Sequence, residues 1–457
     1  MPLNRLLSRR RTMPGFETAA ISIVAMLVLI YMGMHIAVAL SLISFIGVWI
    51  IKGNVDVAMN HLWGAFSKTI DSSVFAVVPL FVLMGNLAGI AGVGRDTYDV
   101  AQRLIGRMRG SLAIATVVAN AIFAAITGVS VASAAVFAKL SVPEMLRHGY
   151  RARFAVGVVA GSSVLGMLIP PSVLMIVYGI ISEQSIGDMF IAGIGPGLLL
   201  TGAFIAYIVV ASYKFPALVY EGGKPPVLDA TNRPESDSIR PLWSQVSAVV
   251  SLISIVIGGL YTGVFTAIEA AAAGAFAAFV IALCRRSLTW ASTLQVVRDS
   301  GSITAVVLFL IVGASMYSRM LGVSGLPTQI SEWILTVEAN FWLLMALYIL
   351  MVIFLGTLID SISIMLIMVP IFMVVFKPYD IDLIWFGVVT VMAAEIGLLT
   401  PPFGLSAFVV HSALARRDIS LKDVFVGSGA FAAVMFVVLL AVVAAPLIAT
   451  GLVYLKL

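Results

Sequence analysis

The sequence predicts an all-α polytopic membrane fold, an inverted repeat in which each half carries one re-entrant hairpin and one broken transmembrane helix. Three observations predict it. First, 61% of the 457 residues are hydrophobic and only 11% are charged, against roughly 25% charged in soluble domains. So few charges cannot coat a water-facing globule, and lipid is the solvent for most of the chain. Second, two long apolar runs are interrupted at their centres by small polar residues. Third, two other runs are broken by double prolines. At about 20 apolar residues per crossing, the chain holds on the order of ten to twelve spans.

Residues 1–15 form an N-terminal tail with Arg5, Arg9, Arg10 and Arg11. The apolar run that follows is too long for the core of a signal peptide, and Met13 is an alternative start. Residues 16–213 form the first repeat, with apolar runs at 16–33, 34–51, 72–94, 111–142, 152–182 and 188–212. The run 111–142 is interrupted by Thr127-Gly128-Val129-Ser130 and reads as a hairpin, two half-helices meeting at a polar tip. The span 152–182 breaks at Ile169-Pro170-Pro171-Ser172. Two prolines remove two backbone donors and push the residue before each out of the α region.

Residues 214–240, with their prolines, glycines and charges, read as a cytoplasmic linker. Residues 241–457 form the second repeat, with runs at 242–261, 263–284, 302–323, 340–376, 383–413 and 424–455. The hairpin 340–376 turns at Gly356-Thr357-Leu358-Ile359-Asp360-Ser361, and the span 383–413 breaks at Thr400-Pro401-Pro402-Phe403. The flanks repeat too. Gly166-Met167-Leu168-Ile169-Pro170-Pro171 parallels Gly397-Leu398-Leu399-Thr400-Pro401-Pro402, so the chain is an internal duplication. The more polar segments 53–70, 95–109 and 286–300 read as amphipathic helices along the membrane surface, or as ordinary connecting helices. Five crossings per half is an odd number, which gives the halves opposite topology. An outside N-terminus puts most Lys and Arg inside and leaves Lys52, Lys68, Arg319, Lys377 and Lys456 outside. The N-terminal arginines are the one violation.

Paired inverted repeats with broken helices point to a secondary-transporter site at the bilayer midplane. A helix broken in hydrocarbon frees carbonyls at one end and N–H groups at the other, at several kcal/mol per unsatisfied group. Freed carbonyls suit a desolvated cation, and positive helix N-termini suit a carboxylate. Cation ligands are expected from Thr127, Gly128, Ser130, Ser133, Gly166 and Pro170 in the first half. In the second they are expected from Gly356, Thr357, Asp360, Gly397, Thr400 and Pro401. Substrate contacts are expected from Ser162, Ser163, Ser172, Ser361 and Gly404. Small oxygen ligands without His or Cys suit Na⁺ better than a transition metal. Ser, Thr and Gly are also ordinary packing residues between membrane helices, and Asp360 would equally serve to cap its own half-helix.

Several classes are excluded. The net charge of +5 is scattered over loops, and no basic face interleaved with aromatics marks a nucleic-acid site. The lone Cys284 forms no internal disulfide. Gly222-Gly223-Lys224 lacks Walker A spacing and runs into Pro225, which excludes ATP hydrolysis within the chain. No catalytic residue is expected. An intramembrane aspartyl protease needs two facing aspartates, and Ser133 stands where a partner for Asp360 would be. An intramembrane enzyme therefore remains only a remote alternative, behind a stand-alone Na⁺/anion symporter or antiporter of the same fold.

From about 16 to 455 the chain resembles the large membrane subunit of tripartite ATP-independent periplasmic (TRAP) transporters. The pieces that carry the resemblance include Pro79-Leu80-Phe81-Val82-Leu83-Met84-Gly85-Asn86, Ile126-Thr127-Gly128-Val129-Ser130-Val131-Ala132-Ser133, Leu168-Ile169-Pro170-Pro171-Ser172, and Glu395-Ile396-Gly397-Leu398-Leu399-Thr400-Pro401-Pro402-Phe403-Gly404. Ala267, where the family usually has proline, is a departure, and so are the extra N-terminal residues. The resemblance implies a multi-pass subunit of the bacterial inner membrane, working with a small four-span membrane subunit and a periplasmic substrate-binding protein. It implies import of small carboxylates driven by Na⁺ as coupling ion, with no other cofactor. It also implies an elevator-type movement of the hairpins and broken helices against a scaffold.

Overall fold

Several helices in this chain begin where a short polar side chain takes the first free N–H groups. The structure, a computed structural model, describes residues 14–105, 108–223, 242–337, 340–414 and 418–455. The arginine-rich tail, Met13 and the linker from 224 onward lie outside these residues. Among the described residues every named element is a helix, and pairing of extended backbone is confined to an isolated bridge between Tyr150 and Tyr220.

The first half runs α1 (Pro14–Tyr31), α2 (Ile36–Lys52), α3 (Val55–Asp71), α4 (Val77–Ile90) and α5 (Val93–Ile105). The hairpin follows as α6 (Ser111–Thr127) and α7 (Ser130–Arg147). The broken span is α8 (Ala152–Ser163), the single turn α9 (Leu165–Leu168) and α10 (Val173–Ile181), with 40° between 152–168 and 173–181. Helix α11 (Ile186–Lys214) closes the half. The second half runs α12 (Leu242–Ile253), α13 (Ala267–Cys284), α14 (Trp290–Ser324), α15 (Leu326–Val337), hairpin α16 (Phe341–Gly356) and α17 (Ser361–Phe376), broken span α18 (Leu383–Leu398) and α19 (Leu405–Leu414), then α20 (Leu421–Ala444) and α21 (Leu447–Tyr454). Among the described residues, seven helices are long and apolar enough to cross a membrane, or eight if the bent pair counts as one span. The chain is a multi-pass membrane protein.

Capping explains the starts. Asn54 accepts from the N–H groups of Asp56 and Val57 at 2.8 and 3.3 Å. Thr266 with Glu269, and Ser420 with Asp423, form reciprocal capping boxes for α13 and α20. Glu269 is thus a structural residue at the start of its span.

The halves pack by exchange. Helix α8 lies along α20 and α18 along α11; α7 meets α19 and α10 meets α17; α2 lies along α14 and α4 along α13. Small residues set the closest approach, as in other membrane bundles. A Cβ on Gly157 of α8 would fall 2.4 Å from the carbonyl carbon of Gly427 on α20.

Away from the tips, polar contacts also tie elements together toward the two ends of the bundle. At one end Gly110 N donates to Tyr220 Oη at 2.8 Å, Arg151 N donates to Val219 O at 2.9 Å, and Arg153 Nη2 meets Asp423 Oδ1 at 2.9 Å. At the other, Tyr454 Oη donates to Asp382 Oδ2 at 2.5 Å, and Gly15 sits against the carbonyl of Ser324.

Four expectations are corrected. The segment 286–300 is not a separate surface helix: from Trp290 it is the first part of the 35-residue α14. Only Gly301 interrupts the junction, and one glycine costs about 1 kcal/mol in a helix, too little to break it. The segment expected at 95–109 does not lie with its polar face in water. Asp96, Thr97 and Asp99 of α5 are buried, and Asp96 forms an ion pair with Arg285 of the other half. The run 424–455 is two helices, because Pro446 supplies no N–H to continue α20. The first hairpin is longer than 111–142, since α7 passes through Pro143 and ends at Arg147.

Candidate functional site

The first tip is a single turn of chain. Helix α6 ends on Gly128, whose φ of +66° is left-handed and open to glycine at little cost. A Cβ there would lie 2.4 Å from the carbonyl oxygen of Pro171. The tip therefore presses directly on the double-proline break, and Val173 N donates to Gly128 O at 3.2 Å. The second tip does the same with different residues. Phe403 N, just past the second break, donates to Thr357 O at 3.1 Å, and Gly356 and Gly397 meet backbone to backbone, with a Cβ on Gly397 falling 2.5 Å from the Gly356 Cα. Both Pro170-Pro171 and Pro401-Pro402 are cis.

The expected ligands divide into those whose hydroxyls are taken by the protein and those that face the junction. Thr127 donates to Phe123 O at 3.0 Å, Thr357 to Phe354 O at 2.8 Å, and Thr400 to Ile396 O at 2.6 Å. Ser163 donates to Ala160 O at 2.8 Å. Ser172 caps α10, accepting from Met175 N at 3.2 Å and donating to Met167 O at 2.5 Å. Asp360 caps α17, accepting from Ser363 N at 3.0 Å and from the Ser363 hydroxyl. Ser133 and Ser162 belong to a buried network centred on Asn120, which donates to Ser162 Oγ at 2.6 Å and accepts from Ser133. Gly166 lies against the backbone of Val129 and Ser130, and Gly404 holds a φ of +39° just past the second break.

Glu395 is the group that joins the halves. It is fully buried on α18 and accepts from Ser361 Oγ, at the second tip, at 2.8 Å. The Ser130 hydroxyl, at the first tip, faces the same carboxyl from the opposite half. Glu395 Oε2 has no hydrogen-bond partner among the described residues. Helix α7 starts there with no side-chain cap, so its positive end looks toward this carboxylate. Two tips, two breaks and one buried acid thus meet in one polar centre. The donor set is hydroxyl, carbonyl and carboxylate oxygen, which suits a hard monovalent or divalent cation. Among the described residues no group of three or more His, Cys, Asp or Glu is placed to hold a metal.

The sequence reading missed Asn120 and left Glu395 outside its ligand set. The signal for Asn120 was an amide inside an apolar half-helix, where each polar group needs a partner. The signal for Glu395 was an acid six residues before the double proline.

The likeness to known proteins fits this geometry. The family described as tripartite ATP-independent periplasmic transporter, DctM component, matches residues 23–448. The C4-dicarboxylate TRAP transporter large permease protein DctM of Pseudomonas aeruginosa is 33% identical over 348 residues, covering 76% of this chain and 78% of that one. The sialic acid TRAP transporter large permease protein SiaM of Vibrio cholerae is 33% identical over 344 residues, 75% and 78% of the two chains. The ectoine/5-hydroxyectoine large permease protein UehC of Ruegeria pomeroyi is 30% identical over 405 residues, 87% and 90%. Among solved structures, the YdaH transporter of Alcanivorax borkumensis superposes with a TM-score of 0.62 at 12% identity, covering 85% and 88%, a likeness of fold alone. These relatives are permeases by name, not enzymes, and the chain belongs with them to the DctM family, the large permease component of tripartite ATP-independent periplasmic transporters.

Proposed function

We propose that the chain is the permease of a Na⁺-coupled importer that takes small carboxylates from a periplasmic binding protein across the bacterial inner membrane. The observation that carries the reading is the meeting of both tips at Glu395. Backbone polar groups exposed at midplane are stable only where a ligand, ion or water completes them. Relatives named for C4-dicarboxylates and sialic acid support the carboxylate class. A relative named as an isethionate TRAP transporter permease protein DctMQ supports a small membrane subunit as partner. That relative is 29% identical, and this chain covers 55% of its length.

An inverted repeat underlies the mechanism. Equivalent helices pack by exchange between the halves. Helix α5 stands at the end marked by Tyr220 and Arg285, whereas its equivalent α15 stands at the end marked by Tyr379. Hairpins and broken helices form the moving part of an elevator, and α1 to α4 with α12 to α14 form the scaffold. Thr127, Gly128, Ser130, Ser133, Gly166 and Pro170 shape one cation clamp, and Gly356, Thr357, Asp360, Gly397, Thr400 and Pro401 the other. Ser162, Ser163, Ser172, Ser361 and Gly404 shape the substrate space between them. The test is uptake of labelled succinate into proteoliposomes holding this chain and its small subunit. Uptake is expected only with an inward Na⁺ gradient and the loaded binding protein. Uptake without Na⁺ defeats the coupling, and uptake by this chain alone makes it a stand-alone carrier.

A further inference from the structure

Away from the tips, a cavity of about 420 Å³ opens near the end of the bundle that holds Lys68 and Arg319. Its wall combines Lys68 in the last turn of α3 and Ser72 just after it, Glu183 and Gln184 after α10, and Ser315 and Arg319 on α14. The broken span and the long helix α14 thus meet at its rim. Arg319 is half-buried, yet it makes no hydrogen bond or ion pair with any described residue. Its Nη1 lies over Gly64, 3.6 Å from where a Cβ would stand. Nearby His61 is held below the usual histidine range, first by burial and then by the charges of Arg319 and Lys52. The field here is therefore positive, with two cations in the wall against the single acid Glu183.

A half-buried guanidinium without a counter-ion is costly, and the space beside it is of the size that takes small molecules. A guanidinium offers a planar fork to a carboxylate, and the ammonium of Lys68 adds a second charge. Ser72, Ser315 and Gln184 supply neutral donors to the rest of a small polar anion.

We propose that this cavity is a docking site for a small carboxylate, held by Arg319 and Lys68 on the outer approach to the tips. It rests on the transport reading, since it places the cargo's first contact at the scaffold's edge with the broken span. The site concentrates anions beside α10 before they meet the midplane.

The test is chemical and needs no transport. In the full chain with Cys284→Ser, Ser315→Cys is labelled by anionic sulfonatoethyl and by cationic trimethylammonioethyl methanethiosulfonate. The anionic reagent is expected to react about tenfold faster, after correction for their rates with a free thiol, and Lys68→Gln with Arg319→Gln to remove that preference. Succinate is expected to slow the labelling, and phosphatidylglycerol vesicles are not. No anionic preference, or one unchanged in the double variant, overturns the proposal. So does protection by phosphatidylglycerol rather than succinate, which would make the pocket a lipid headgroup site, or protection by neither. If Ser315→Cys does not fold, Ser72→Cys carries the same measurement. Labelling preference without Na⁺-dependent uptake defeats the transport reading and leaves the anion site standing. Normal uptake with an unchanged succinate KM in Arg319→Gln does the reverse, where a rise of about tenfold is expected.

Discussion

The two hairpin tips have the same backbone plan and different chemistry. At the first, α7 leaves Gly128-Val129 with no side-chain cap, Ser133 bonds to the neutral Asn120, and Ser130 faces Glu395. At the second, α17 is capped by its own Asp360, and Ser361 is bonded to Glu395. Both acids at the junction come from the second half. The lesson is that both tips bare backbone groups at matching places, because prolines and glycines dictate it, while charge is placed on one side only. A buried carboxylate needs several donors to be stable. One such acid, shared by two tips, meets that need more readily than one acid at each.

The largest expected effect breaks the backbone half of this comparison. Gly128→Ala combines a left-handed φ with a Cβ driven into the Pro171 carbonyl, and is expected to cost about 3 kcal/mol or more and abolish uptake. Thr357→Ala, at the matching place with a φ of −73°, is expected to cost under about 1 kcal/mol. Thermal unfolding in detergent compares them, and equal losses would mean that the tips do not differ in backbone demand. Asn120→Ala is next, because it strands the Ser133 hydroxyl in the core, while Ser162 keeps its bond to Val158 O; about 2 kcal/mol is expected on the same assay.

Glu395→Gln sharpens the charge half. It keeps an acceptor for Ser361 while removing the negative charge. Half-maximal uptake is then expected to need about tenfold more Na⁺, which corresponds to about 1.4 kcal/mol, and an unchanged requirement would remove Glu395 from the cation site. Asp360→Ala removes a helix cap and is expected to cost about 1 kcal/mol of stability, with Asp360→Asn recovering most of it. If Asp360→Asn instead shifts Na⁺ activation as far as Glu395→Gln does, the acid is a ligand as well as a cap. The smallest effect is expected at Arg153→Ala. Its pairing with Asp423 joins the halves, but the arginine is 56% exposed, and about 0.5 kcal/mol or less is expected.

Much of this was legible in residues. Double prolines remove two donors wherever they fall, so the breaks at 170 and 401 follow from covalent structure alone. Long apolar runs with Thr127-Gly128 or Gly356-Thr357 at their centres announce tips for the same reason. The end of α20 was less legible, since Pro446 sits inside a run that stays apolar on both sides, and hydropathy carries no record of a missing N–H. The polar centre at the tips was legible as a region and not as a set of side chains. A serine beside a break either faces the junction or returns its hydroxyl to the preceding turn, and its rotamer is fixed by neighbours from other helices.

By itself, then, the sequence determined membrane residence and the points where helices break. These depend on composition and on local bonding, which each residue carries with it. Only the tertiary structure decided that Glu395 stands between Ser361 and Ser130, that Asp96 answers Arg285, and that Arg319 borders a cavity unpaired. Those pairings join residues far apart in the chain, and what sets them is which helices of the two halves lie against each other.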